Sequence, residues 1–174
     1  EGFEVIDAYS RPVRLGEGVA LNGTLCGDAI ERTLHALSVC AAKIERNSVT
    51  RARHIATEAC RRACNGEDFL GMVRERTGLR FEVIAPAEEA RLALASCENL
   101  LDPAVPFGLL IDIGGGSTEV SWVHVKPRND RQGGVATELI GMTSVPWGVV
   151  TLTESCTSGQ PRERPVSRAC YDDM

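Results

Sequence analysis

The sequence predicts an α/β protein with a largely parallel sheet, and two observations indicate this class. Segments whose apolar residues fall at helical spacing alternate with short, strand-like apolar runs along the 174 residues. The hydrophobic content of 43% is that of a globular domain, and every apolar run is short and broken by glycine, proline or charge. We therefore expect a packed core, without a membrane span or an N-terminal signal peptide.

The first part of the chain is predicted to contain a hairpin, four helices and two strands. The hairpin is expected over residues 3–8 and 13–15, the helices over 28–47, 58–62, 67–77 and from 86 onward, and the strands over 53–57 and 81–84. Asp28 is expected to begin the first long helix, with Glu31 as its capping-box partner. Gly78 is expected to end the third helix in the left-handed conformation that glycine favours.

The helix that begins at Pro86 carries two carboxylates in its first turn. Proline is well tolerated there, because the first helical N–H has no partner within the helix. Glu88 and Glu89 follow, and the helix dipole favours negative charge at this end. Leu92 and Ala95 are expected to lie on the buried face of the helix.

A domain boundary is predicted at residues 102–106, Asp-Pro-Ala-Val-Pro, which is the most linker-like segment of the chain. We therefore expect one domain over 1–106 and a second over 107–174. The apolar run 108–111 is typical of a strand that is buried on both faces. The remaining predicted elements are strands over 120–124 and 136–140, a turn over 128–134, a polar loop over 157–165 and a helix from about Ser167.

Charge and cysteine content restrict the function classes. The net charge of −5 argues against a general binder of polyanions such as nucleic acid, so an anionic substrate must be held by a few arginines, a metal and backbone amides. The seven cysteines are an odd number without a disulfide spacing, which indicates reduced thiols and a cytoplasmic location. Cys60 and Cys64 lie four residues apart, but no second Cys/His pair completes a zinc site.

Residues 112–119 read Asp-Ile-Gly-Gly-Gly-Ser-Thr-Glu and join two predicted strands. Three consecutive glycines, Gly114, Gly115 and Gly116, let backbone amides approach an anion without obstruction by side chains. The segment lacks the Gly-Lys-Ser/Thr ending of a P-loop and the glycine spacing of dinucleotide folds, and both of those loops lead into a helix. A phosphate-binding loop is therefore predicted, with a plain tight hairpin turn as the alternative.

Four side chains around the glycines suit phosphate chemistry. Ser117 and Thr118 can donate hydrogen bonds to phosphate oxygens. Asp112 follows a predicted buried strand, the position where α/β sheets place ligand chemistry. Glu119 adds a second carboxylate, and Mg²⁺ is the metal that takes one or two carboxylates and keeps several waters. Asp112 and Glu119 are therefore the predicted metal ligands.

Three segments together resemble the exopolyphosphatase/guanosine pentaphosphate phosphatase (Ppx/GppA) family. Residues 112–119 resemble its second phosphate loop. The other segments are Ala-Thr-Glu-Ala-Cys-Arg at 56–61 followed by Asn-Gly-Glu-Asp-Phe at 65–69, and Glu-Val-Ile at 82–84 followed by Glu-Glu-Ala-Arg-Leu at 88–92. The similarity extends from about residue 3 to residue 152 and is more specific than the glycine loop alone.

The resemblance implies an actin-like (ribonuclease H-like) fold of two α/β halves, with the active site in the cleft between them. It also implies Mg²⁺-assisted hydrolysis of a terminal phosphoanhydride, in inorganic polyphosphate or in guanosine pentaphosphate (pppGpp). By position, Glu89 matches the general base for the attacking water, and Arg61 matches an arginine directed at the phosphate chain. Asp112 and Glu119 match the carboxylates that organise the metal and the water, and residues 114–117 match the phosphate cradle.

The sequence departs from the family pattern in one respect, because the first phosphate loop, an Asp-x-Gly-Ser-Asn-Ser hairpin, is not found in it. We therefore expect an incomplete portion of the actin-like fold, with 1–106 as a first half lacking its first strand and loop, and 107–174 as the start of the second half. Two other functions stay open, an actin-like sugar or acetate kinase and a non-catalytic binder of polyphosphate or a nucleotide alarmone. A homodimer is the default expectation for assembly.

Overall fold

A computed structural model describes residues 4–128, 134–157 and 168. The elements in chain order are α1 (Val19–Asn22), α2 (Gly27–Arg46), β1 (His54–Ala56), α3 (Glu58–Arg62), α4 (Gly66–Thr77), β2 (Phe81–Val83), α5 (Pro86–Cys97), β3 (Phe107–Ile113), β4 (Thr118–Pro127), β5 (Val135–Val145) and α6 (Val149–Thr157). None of the helices described is both long and apolar enough to span a membrane. The predicted helix from Ser167 and nearly all of the predicted loop over 157–165 lie outside the described residues.

The chain divides into two compact units, Glu1–Glu82 and Val83–Met174. The helix α5 therefore belongs to the same unit as the strands that follow it, because it packs on β4 and β5. The division between the units, after Glu82, comes earlier in the sequence than the boundary that was predicted at residues 102–106. The assignment of 1–106 and 107–174 to two actin-like halves stays a prediction.

The first unit is organised by α2, which packs its apolar face against α4. Its core consists of buried residues from α1, α2, α3 and α4 and from the loops that flank them: Val19, Leu25, Ile30, Leu34, Cys60, Ala63, Phe69, Val73 and Leu79. The helix α2 begins at Gly27 and no side chain caps it, so the predicted capping box from Asp28 to Glu31 is wrong. Its predicted end is confirmed, since Asn47 follows the last helical residue.

The start of the described chain is not a hairpin, so that prediction is wrong. Residues 4–14 form no strand, and Arg14 has a φ of 52°, a left-handed conformation that lies outside the β region. The Asp7 carboxylate instead anchors this segment to the C-terminal part of α2. It accepts hydrogen bonds from Lys43 Nζ at 2.6 Å and from an Arg46 guanidinium nitrogen at 2.8 Å. The apolar–polar alternation here reflects one anchored carboxylate between exposed neighbours and not strand pairing.

Two glycines shape the region around α3 and α4. Gly78 follows α4 with a φ of 74° and donates its amide to Arg74 O, so the predicted C-cap is confirmed. At Gly66 a Cβ atom would lie 2.3 Å from the Cys60 carbonyl oxygen, so only glycine fits where α3 turns into α4. Cys60 itself is buried, and burial raises the pKa of its thiol, which is consistent with a core residue and not with a metal ligand.

The second unit is an antiparallel three-stranded sheet in the order β3-β4-β5, with α5 packed on one face. The core under this face is formed by Leu94, Val123, Val125 and Val135, with Leu101, Leu110 and Leu139 packed against it. The α/β class is as predicted. The expectation of a largely parallel sheet is wrong for these strands, because short loops join them in sequence and only antiparallel neighbours can be joined in that way.

The apolar run of β3 predicted burial on both faces, but only one face of this strand is buried. Phe107, Leu109, Ile111 and Ile113 all lie on the face away from α5 and are 55–63% exposed. The helix α5 also differs from its prediction in rotation about its axis. Its buried residues are Ala90 and Leu94, which are one turn apart on one face, whereas Leu92 is half-buried and Ala95 is exposed.

Candidate active site

Two carboxylates face each other at the end of the β3–β4 hairpin. The pairing register places Asp112 of β3 opposite Glu119 of β4, and Glu119 opposite Ser144 of β5. Directly opposed residues of antiparallel strands project to the same side of the sheet. This side is the buried one, because Ser121 and Val123 follow Glu119 at two-residue steps and are each 1% exposed. The predicted pair of metal ligands is therefore brought together by local strand pairing.

Glu119 is a buried carboxylate that accepts a hydrogen bond from one donor among the described residues. Its side chain is 2% exposed, and Oε1 accepts a hydrogen bond from Ser144 Oγ at 2.7 Å. No lysine, arginine or histidine of the described residues forms an ion pair with Glu119 or with Asp112. Burying an ionised carboxylate is costly unless a cation or further hydrogen bonds compensate its charge. The site therefore calls for a positive partner from outside the described part of the chain.

The donor set fits Mg²⁺ better than it fits a transition metal. No cluster of three or more histidine, cysteine, aspartate or glutamate side chains able to hold a metal occurs among the described residues. Zinc sites are usually built from three or four such ligands. Mg²⁺ is commonly held by one or two carboxylates, with water and substrate phosphate completing its octahedron. Asp112 and Glu119 match that pattern.

The loop between β3 and β4 consists of residues 114–117, and the Gly114 amide donates to Ser117 O at 2.9 Å. Neither Gly114 nor Gly115 has a left-handed φ. A Cβ atom at Gly114 would lie 3.3 Å from Ser117 O, and one at Gly115 would lie 3.6 Å from a methyl group of Val150. Neither backbone conformation nor severe crowding within the chain therefore requires these glycines. Their lack of side chains leaves backbone amides open to a ligand, as the phosphate-loop prediction expects.

Ser117 and Thr118, the two predicted hydroxyl donors, differ in what they contact. The Thr118 hydroxyl donates to the Trp147 carbonyl at 2.6 Å, and its expected contact with a phosphate oxygen stays a prediction. Ser117 is 3% exposed, and its hydroxyl forms no hydrogen bond with any described residue. The amides of Gly115 and Gly116 likewise have no protein acceptor in the described ranges. These three donors are therefore available for an anion.

Glu89 and its neighbour Glu88 behave differently in the first turn of α5. Glu88 accepts two hydrogen bonds from the Arg91 guanidinium, at 2.7 and 2.9 Å, and so belongs to a surface ion pair. Glu89 is half-buried, and it is not the acceptor of either of these two hydrogen bonds. Glu89 lies in the same unit as the opposed carboxylates of β3 and β4. Its predicted role as general base stays a prediction.

Arg61 lies in α3 of the first unit, and its side chain is 17% exposed. One of its guanidinium nitrogens donates to Glu58 Oε2 at 3.3 Å, one helical turn earlier. Asp112, Glu119 and the glycine loop belong to the second unit. The structure therefore assembles those second-unit residues by strand pairing, while the expectation that Arg61 contacts the phosphate chain stays a prediction.

Sequence reasoning missed two residues of this site, Ser144 and Gly148. Ser144 is the hydrogen-bond donor to Glu119, and its position opposite Glu119 depends on a pairing between residues 25 positions apart. Gly148 lies directly before α6 and is in close contact with the glycine loop. No helix was predicted from the sequence over residues 149–157, whose β-branched residues are weak helix formers, so nothing marked Gly148 as the residue before one.

Comparison with known proteins shows which family this chain resembles in sequence and structure. The model of the Ppx/GppA phosphatase family matches residues 1–169. Exopolyphosphatase 2 of Mycobacterium tuberculosis is 34% identical over 158 residues, which are 87% of this chain and 46% of that protein. The crystal structure of an exopolyphosphatase-like protein superimposes with a TM-score of 0.80 at 27% identity, over 98% of this chain and 50% of that chain.

The crystal structure of the Aquifex aeolicus Ppx/GppA family member superimposes with a TM-score of 0.64 at 32% identity, over 94% of this chain and 48% of that chain. The chain thus spans about half the length of the relatives it matches. The family match covers nearly the whole chain, including the opposed carboxylates Asp112 and Glu119 and the loop at 114–117. The chain belongs to the Ppx/GppA phosphatase family.

Proposed function

We propose that this chain contributes to the active site of a phosphohydrolase that releases the terminal phosphate of inorganic polyphosphate or of pppGpp. The observation that carries the proposal is the buried Glu119, opposed to Asp112 and next to a loop whose amide and hydroxyl donors have no acceptor among the described residues. The family match and the similarity to a protein named exopolyphosphatase support the reaction class. Of the two substrates we place polyphosphate first, because that name refers to it.

Hydrolysis of a phosphoanhydride requires an oriented water, a base and stabilisation of the negative charge on the transferred group. The oxygen of water attacks the terminal phosphorus, the bond from that phosphorus to the bridging oxygen breaks, and the shortened chain leaves as an anion. The amides of Gly115 and Gly116 and the Ser117 hydroxyl hold oxygens of the transferred phosphoryl group. These donors are fixed before the reaction, so they stabilise developing charge without reorganisation.

Glu89 orients the attacking water and accepts its proton, as a general base within reach of the phosphorus must do. Mg²⁺ held by Asp112 and Glu119 would neutralise charge on the phosphate oxygens. Arg61 would neutralise charge further along the phosphate chain, where its fixed positive charge suits a polyanion. Ser144 keeps the Glu119 carboxylate in one orientation through its 2.7 Å hydrogen bond.

The test compares Glu89→Gln with Glu88→Gln in the purified intact protein. Removing a general base slows a reaction by about a hundred- to ten-thousandfold, so phosphate release from tripolyphosphate should fall by that factor in Glu89→Gln. Glu88→Gln removes the carboxylate that pairs with Arg91 at the surface, and such pairs contribute little, so its rate should stay close to wild type. An unchanged rate in Glu89→Gln would sink the assignment of the base.

The same preparation separates the two other functions that the sequence left open. A kinase would need an acceptor alcohol or carboxylate and would transfer the phosphoryl group of ATP to it, without free phosphate as the first product. A non-catalytic binder would retain tripolyphosphate in equilibrium dialysis with Mg²⁺ and release no phosphate over hours. Release of orthophosphate that depends on Glu89 supports the hydrolase alone.

A further inference from the structure

The N-terminus of α6 is docked on the glycine loop through backbone hydrogen bonds. The Val149 amide donates to Gly114 O at 3.0 Å, and the Val150 amide donates to Gly115 O at 2.8 Å. The Thr151 amide also reaches Gly115 O, at 3.3 Å. The first amides of this helix are therefore used by the protein, although helix N-termini often bind anions directly.

This docking determines where the loop amides point. In a planar trans peptide the C=O and the following N–H point in opposite directions. The carbonyls of Gly114 and Gly115 point at α6, so the amides of Gly115 and Gly116 point away from it. These are two of the donors that have no protein acceptor among the described residues. The helix thus fixes the orientation of the amides that the proposed function assigns to phosphate.

Gly148 is what allows the helix to come this close. A Cβ atom at position 148 would lie 2.5 Å from Gly114 O and 2.5 Å from the carbonyl carbon of Gly115, distances that real Cβ contacts do not reach. The atoms that it would clash with are all backbone atoms of the loop, so no side-chain rotation can relieve the clash. Gly148 has an ordinary φ, so it is proximity to the loop, and not backbone conformation, that requires glycine here.

Two hydroxyl groups hold Gly148 in place. The Thr151 hydroxyl, on a residue that is 7% exposed, accepts from the Gly148 amide at 2.7 Å and lies 3.1 Å from the Gly148 carbonyl, to which it donates. The Thr118 hydroxyl fixes the preceding residue through its bond to Trp147 O. The segment before α6 is therefore tied both to its own helix and to the first residue of β4.

We propose that Gly148 is a positioning residue for the phosphate loop, because it lets α6 dock on the loop and so directs the amides of Gly115 and Gly116 towards the phosphate. The inference rests on the proposed function for the identity of the ligand, and on the backbone geometry for the docking itself. It assigns α6 an indirect role in catalysis, exerted through the carbonyl side of the loop.

The experiment compares Gly148→Ala with Gly141→Ala in the intact protein, with tripolyphosphate as substrate. Gly141 lies on β5, and a Cβ atom there would meet nothing within 4 Å, so this control adds the same methyl group without a clash. In Gly148→Ala the KM should rise about ten- to a hundredfold, which is the loss expected when a hydrogen bond to a charged group is broken. Gly141→Ala should stay within about twofold of wild type. A role in stability alone would lower the fraction of active enzyme and leave the KM unchanged, and that outcome would overturn the proposal.

A second pair of variants keeps the test decisive if Gly148→Ala does not fold. Thr151→Val has nearly the same shape without the hydroxyl, and Thr151→Ser retains the hydroxyl. The KM should rise in Thr151→Val and recover in Thr151→Ser, whereas equal KM values in both would contradict the inference.

Hydrogen exchange separates failure of this inference from failure of the proposed function. If the wild-type protein releases no phosphate, the proposed function fails and exchange of the amides at 149–151 decides the docking. Those amides should exchange faster in the folded variant, Gly148→Ala or Thr151→Val, than in wild type and Gly141→Ala. Unchanged exchange in that variant would refute the docking role.

Discussion

Ser144→Ala is the most direct test of whether Glu119 takes part in the reaction, because it leaves the carboxylate in place. The substitution removes the only protein hydrogen bond that Glu119 accepts among the described residues, a 2.7 Å contact to a side chain that is 2% exposed. A hydrogen bond to a charged group contributes about 1.5–3 kcal/mol. Since about 1.4 kcal/mol corresponds to a factor of ten, Mg²⁺ affinity or the rate at limiting Mg²⁺ should fall about ten- to a hundredfold.

The assay is a Mg²⁺ titration of phosphate release from tripolyphosphate, with the half-saturating Mg²⁺ concentration as the readout. Ser144→Thr retains a hydroxyl and should recover most of the affinity. Ser121→Ala removes a hydroxyl from β4 that makes no hydrogen bond to Glu119, and it should titrate like wild type. If Ser144→Ala has the wild-type Mg²⁺ dependence and rate, then Glu119 does not hold the metal and the reasoning is refuted.

Two further predictions concern the stability of the first unit. Asn65→Ala removes side-chain hydrogen bonds to both Leu25 N (2.8 Å) and Leu25 O (3.1 Å) and leaves these groups of a buried residue unsatisfied. The free energy of unfolding, measured in urea titrations, should therefore fall by about 2–4 kcal/mol. A loss below about 0.5 kcal/mol would contradict this prediction. Asp7→Asn should lower the Tm at pH 7, because the Lys43 hydrogen bond lowers the pKa of Asp7 from 3.8 to about 2. A lowered folded-state pKa contributes stability above the unfolded value and loses it as the pH falls through the folded one, so the difference in Tm should shrink between about pH 4 and pH 2. A difference that does not change with pH would exclude this ion pair as its cause.

The long helices α2 and α4 were the part of the fold that the sequence predicted best, whereas α1 and α6 were not predicted. The boundaries of α2 and α4 followed from long amphipathic segments and from Gly78, which are local signals. The sheet was predicted less well, because strand direction and the burial of each face depend on what packs against them. The run 108–111 reads the same whether a strand is covered on one face or on two, and β3 is covered on one.

The candidate site shows the same division between local and distant information. The glycine loop and its flanking carboxylates could be predicted, because a four-residue connection brings Asp112 opposite Glu119 through short-range pairing. Ser144 and Gly148 could not be predicted, because each meets the site from more than 20 residues away. The β4–β5 pairing also contains a bulge between Trp122 and Val123. Counted from the turn between the two strands, every pair beyond this bulge is shifted by one position, and the pair of Glu119 and Ser144 is one of them.

The hairpin origin of the carboxylate pair has a consequence for how this protein can change over evolution. Side chains alternate between the two faces of a strand, so an inserted or deleted loop residue that moved the pairing by one position would turn Glu119 to the opposite face from Asp112. Substitutions at the loop positions change one donor at a time, whereas a change of loop length separates both carboxylates at once. The length of the segment between Asp112 and Glu119 should therefore tolerate less variation than its composition.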